Sequence, residues 1–166
     1  MADPSTRSVP RPQSARIALP RSPASVGAAR RFIQARTAAW SFPEPAGSQL
    51  VLIGSELVTN AVLHARTGLT LTLELRDGRV RISVKDQSQA PATLRHYQAD
   101  ALTGRGLGVV AALSERWGIS AAPDGKVVWA EVAAGGDDPG AGPRPPELRQ
   151  PPPASTRCRE VSVTNG

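Results

Sequence analysis

The chain has 166 residues, enough for one domain with excess at both ends, and its formal charge of +6 comes largely from 18 arginines, with only Lys85 and Lys126 as lysines. That charge is dispersed (residues 1–22 net +3, 23–133 net +3, 134–166 net zero) and aromatics make up only 4%, so the chain lacks the dense basic run and stacking platform of a dedicated nucleic-acid site. A single cysteine, Cys158, excludes an internal disulfide and a cysteine metal cluster; no leader-like apolar segment and no run of 18 apolar residues is present, which sets the expectation of a soluble cytoplasmic protein.

Five of the 16 prolines fall in the first 23 residues and seven more between Pro139 and Pro153. Neither end has an apolar period with which to build a core. Residues 1–12 and the proline-rich tail 134–166 are therefore expected to be disordered, and 13–133 to form the domain. A domain of that size hides roughly two thirds of its unfolded surface.

In chain order, Ala15–Leu19 reads as a short strand stopped by Pro20. Pro23 suits a first helical turn, and Val26, Ala29, Phe32, Ile33 and Trp40 continue at helical spacing until Phe42-Pro43-Glu44-Pro45 makes a turn. Gly47–Ala65 is apolar around most of its circumference, the pattern of a helix packed on more than one side. Leu69–Arg76 and Arg79–Asp86 alternate apolar and polar residues across Asp77-Gly78, a strong hairpin signal. Gln87–Thr103 has no period and reads as a long loop. Gly104-Arg105-Gly106-Leu107-Gly108 opens a further helix, and two strands near Gly118–Ala122 and Val127–Ala133 close the domain. The order β-α-α-β-β-loop-α-β-β predicts an α+β two-layer sandwich, a mostly antiparallel mixed sheet with helices on one face.

Three polar islands stand out. In the apolar helix, Glu56, Asn60 and His64 fall at i, i+4 and i+8, on one side. Buried charges and amides are costly unless paired or used. A carboxylate there is placed for general-base work, and the neutral Asn60 has a carbonyl oxygen able to complete a Mg2+ shell otherwise made of phosphate oxygens and water. Asp86, at a strand end, is able to accept from an exocyclic amine of a nucleobase. The glycine-rich turn into a helix exposes N–H groups and the positive end of a helix dipole, where phosphates bind. A dinucleotide fingerprint would need glycine where Val109 stands, and a Walker P-loop would need Gly-Lys-Ser/Thr, so neither motif is present.

Taken together, ELVTNAVLHA, then Asp86, then GRGLGVV resemble the asparagine box and the two glycine boxes of the Bergerat (GHKL) ATP-binding fold shared by gyrases and histidine kinases. Within that group the chain looks most like bacterial anti-sigma-factor serine/threonine kinases and their single-domain relatives, over about Ala15–Val132. The resemblance implies ATP and Mg2+ as cofactors. Glu56 would be the catalytic base and Asn60 the residue holding the metal against the phosphates; Asp86, with Ser88 beside it, would take the adenine. Gly104, Arg105, Gly106, Leu107 and Gly108 would wrap the phosphates beneath a lid at 87–103, and Lys126 would lie near the nucleotide. His64 is read as a packing or hydrogen-bonding residue of the helix. Two positions depart from the pattern. Asp86-Gln87-Ser88-Gln89-Ala90 lacks the two glycines of the family's Asp-x-Gly-x-Gly, and Lys126 follows Gly125 where a hydroxyl residue is common.

The function implied is a Mg-ATP-dependent regulator of the anti-sigma type, a kinase of a small antagonist protein. The alternative is a nucleotide-binding switch of partner affinity without kinase chemistry. Expected partners are a sigma factor, an anti-sigma antagonist or both, with homodimers as in relatives, and neither membrane nor nucleic acid.

Overall fold

Strand β1 (Gln13–Leu19) opens the chain and is followed by helices α1 (Ala24–Ala39) and α2 (Ala46–His64). The hairpin β2 (Leu69–Arg76) and β3 (Arg79–Asp86) comes next, then helix α3 (Gly104–Leu113) and strands β4 (Arg116–Ala122) and β5 (Gly125–Ala133). A three-residue strand, β6 (Glu147–Arg149), completes the sheet. This computed structural model describes residues 12–64, 67–87, 104–135 and 147–149. The lid expected at 87–103 lies outside the described residues apart from Gln87.

The sheet runs β1-β2-β3-β5-β4-β6. Every pairing is antiparallel except that of β4 with β6, so the sheet is mixed, as expected. The β2–β3 turn has positive φ at both central residues, Asp77 (49°) and Gly78 (72°), the backbone whose twist matches the flanking strands. The alternation read from the sequence becomes a division of faces. Leu71, Leu73, Val80, Ile82, Val84, Val128, Ala130 and Val132 are buried under the helices. On the opposite face Arg81 stacks its guanidinium 3.8 Å from the Trp129 ring and donates to Glu131 at 2.9 Å.

Helix α2 is the centre of the helical layer, packed against α1, α3 and strands β2, β3 and β5. It is long and apolar enough to cross a membrane by length and composition, but 56% of its most apolar stretch is buried, which makes it a core helix. Gly54 is what lets it sit so deep: a Cβ there would collide with Cδ1 of Ile33 from α1 and lie 2.8 Å from Cδ1 of Ile82 in β3. The polar tie between α1 and α2 is Arg30, whose Nε donates to Ser55 Oγ at 2.8 Å, while Ser55 donates to the Val51 carbonyl. Helix α1 ends in a Schellman motif, with Phe42 N–H donating to Thr37 O and Ser41 N–H to Ala38 O. Serine therefore occupies the left-handed position, φ 50°, where glycine is usual.

Candidate functional site

With one flank of α2 committed to the core, Glu56 and Asn60 project together toward α3. Asn60 is 7% exposed and Glu56 is half-buried. The residue that meets them is Gly106, in the first turn of α3. A Cβ on Gly106 would lie 2.6 Å from Glu56 Oε2, 3.6 Å from Asn60 Nδ2 and 3.7 Å from Asn60 Oδ1. Glycine there leaves the Glu56 carboxylate free to sit against the first turn of α3. Two of the three polar islands thus share one place, 46 residues apart in sequence.

Within that place the Asn60 Nδ2 atom is buried and has no hydrogen-bond partner among the described residues. A buried amide left unpaired costs about 1–3 kcal/mol, a cost that a ligand able to pair with it would remove. Gly104, Arg105 and Gly106 supply first-turn N–H groups of α3, which have no acceptor within the helix. Oriented donors, a positive dipole end, a buried amide and a nearby carboxylate are groups of the kind that could receive a phosphate chain with a divalent ion. Among the described residues no group of three or more His, Cys, Asp or Glu side chains is arranged to hold a metal by itself. A cation here would be shared with the nucleotide's own oxygens, for which Asn60 is suited.

The other predicted residues are placed as follows. Leu107 is buried in the core and Gly108 is exposed with open space around it. Arg105 lies in the first turn of α3, its side chain outside what is described, and Ser88 also lies outside the described residues. His64 ends α2 at an exposed position and has an interaction of its own.

The third island, Asp86, is 2% exposed at the end of β3. In the β3–β5 register its direct cross-strand partner is Lys126, 4% exposed. Lys126 Nζ stands 3.7 Å from Asp86 Oδ2, an ion pair rather than a hydrogen bond. Gly125 has a role not assigned from the sequence. Its φ is +153°, and a Cβ on it would strike the Asp86 carbonyl and lie 2.7 Å from Gln87 Cα. The signal was the Asp124-Gly125 pair itself, but which backbone it would press against depends on β5 lying beside β3.

Residues 19–132 match the histidine kinase-like ATPase domain family. By fold, the chain is similar to the crystal structure of the RsbU and RsbW domains of a protein from Mycobacterium tuberculosis. The TM-score is 0.58 at 21% identity, over 82% of this chain and 34% of that one, so the chain spans about a third of that relative. A search of the curated proteins finds no match. The matched segment contains Glu56, Asn60, Asp86, the glycine turn and Lys126, and it covers most of the chain, which therefore belongs to the histidine kinase-like ATPase domain family.

Proposed function

We propose that the chain is a Mg-ATP-binding regulator of the anti-sigma-factor type and that it phosphorylates a small antagonist protein on serine. The observation that carries the reading is the meeting of Glu56 and Asn60 with Gly106, with the Asn60 Nδ2 buried and without a hydrogen-bond partner among the described residues. The fold shared with a structure containing an RsbW domain supports the same class.

In this reading the α3 N-terminus takes the phosphates, Asn60 holds Mg2+ through its carbonyl oxygen, and Asp86 accepts the exocyclic amine of adenine. The metal neutralises phosphate charge when bound. Glu56 faces the first turn of α3 and would stand beside the terminal phosphate. It accepts the proton of the incoming serine hydroxyl as the serine oxygen bonds to the γ-phosphorus and the bond to the bridging oxygen of ADP breaks. Phosphoryl transfer requires mostly positioning and charge neutralisation, so this small set of groups is sufficient in kind. A sigma factor or its antagonist is the protein partner, the setting is cytoplasmic, and homodimers fit the class.

A second reading keeps nucleotide binding and drops the chemistry, leaving a switch of partner affinity. The absence of both glycines after Asp86 favours it. Glu56→Ala separates the two. Loss of about 100-fold or more in phosphorylation of a cognate antagonist, with ATP affinity kept, is expected for the kinase. Unchanged partner control in that variant, with no phosphorylation by the wild type, is expected for the switch.

A further inference from the structure

The Asp86–Lys126 contact is by itself a poor device for stability. Both side chains are all but sealed from solvent, at 2% and 5% exposure. Desolvating two charges costs several kcal/mol each, repaid only by close, hydrogen-bonded geometry. At 3.7 Å the pair falls short of the roughly 2.7–2.9 Å of a charge-assisted hydrogen bond. Its position is nevertheless tightly set. The two residues are opposed in the β3–β5 register, both on the helix-facing side of the sheet, and the missing Cβ of Gly125 brings the start of β5 against the backbone of Asp86 and Gln87. Both groups also have further interactions.

A carboxylate and an ammonium side by side present an acceptor and a strong donor to one edge of a ligand. The Watson–Crick edge of adenine carries the complementary set, an exocyclic amine beside a ring nitrogen that accepts. Any base edge that reaches Asp86 meets Lys126 as well. The geometry points to Lys126 as a second base-reading residue: its ammonium donates to the adenine ring nitrogen next to the amine that Asp86 accepts. This rests on the nucleotide reading above and adds to it the group that selects the base. An exposed lysine near the phosphates would act as a point charge on ATP of any base, whereas Lys126 acts on the base edge alone.

The test is a cycle between protein and ligand. Wild type and Lys126→Met are each titrated calorimetrically with ATP and with 1-deaza-ATP, which lacks that ring nitrogen. A charged hydrogen bond is worth enough that wild type is expected to bind 1-deaza-ATP roughly 10-fold or more weakly than ATP. Lys126→Met is expected to bind ATP about as weakly as wild type binds the deaza analogue, and to no longer tell the two apart. Equal binding of both nucleotides by wild type overturns the inference without recourse to the variant, so a poorly folding variant does not protect it. A variant that keeps the discrimination also overturns it. So does a variant that binds ATP more tightly than wild type, since Lys126 would then be masking Asp86. Absence of all nucleotide binding by wild type removes the nucleotide reading itself, a separate failure.

Discussion

Asn60 carries two opposed demands. As a buried amide whose Nδ2 has no partner among the described residues it is a cost to the folded protein; as the proposed metal-holding group it is needed. Asn60→Ala should therefore leave stability unchanged or slightly raised while abolishing Mg-dependent nucleotide binding, a divergence read by thermal melting beside titration. Gly106→Ala makes the complementary case. Alanine favours a helix interior by about 1 kcal/mol over glycine, so the variant should melt no lower than wild type. Its methyl would nonetheless push the Glu56 carboxylate from its position 2.6 Å away. Phosphorylation should fall by at least 10-fold, more than ATP affinity does, as single-turnover kinetics beside titration would show. Glu56, Asn60 and the glycine turn were legible as candidates because polar residues in apolar helical surroundings need a reason. That Gly106, and not Gly108, makes the contact was not legible, because it depends on the angle at which α3 crosses α2.

Among the elements, the periodic ones were read well. Leu69–Arg76 and Arg79–Asp86 coincide with β2 and β3, since strict alternation about an Asp-Gly turn leaves little choice of register. The outer ends of β1 and β4 extend two residues further than read, because Gln13, Ser14, Arg116 and Trp117 extend ladders whose partners lie elsewhere in the chain. Strand β6 was not expected at all: Glu147-Leu148-Arg149 stands among prolines without a period, and its pairing with β4 is a tertiary choice. Two packing predictions belong here. Ser41 sits at φ 50° in the Schellman turn, so Ser41→Gly should stabilise by about 0.5–1 kcal/mol, raising the melting temperature by a few degrees. Gly54→Ala places a methyl against Ile33 and Ile82 where no space exists, and should destabilise by about 1–3 kcal/mol in a denaturant titration.

For the whole molecule, the decisive feature is the crossing of the chain between β3 and β4, which leaves β5 beside β3 and inserts it ahead of β4 in the sheet. Hairpin signals alone give neighbours in sequence; they do not give this order. The fold class followed from the element order, and the likeness of the motifs to the ATP-binding family supplied the rest. The opposition of Asp86 to Lys126 exists only because of that crossing, and for that reason the sequence suggested two separate residues near a nucleotide, not a pair. The same architecture brings α2 and α3 together over one face of the sheet, so that the proposed phosphate cradle joins residues from both. Because nucleotide would bind the folded chain and not the unfolded one, Mg-ATP at about 100 times its dissociation constant should stabilise the domain by about 2.7 kcal/mol, visible as a raised melting temperature. The central claim is that Asn60 and the first turn of α3 form a Mg-ATP site. It is tested most directly by calorimetric titration of the full chain with ATP, with and without Mg2+, beside Asn60→Ala. The expected result is magnesium-dependent binding by wild type that disappears in the variant. Binding that survives in Asn60→Ala, or no binding by wild type under either condition, would contradict the account.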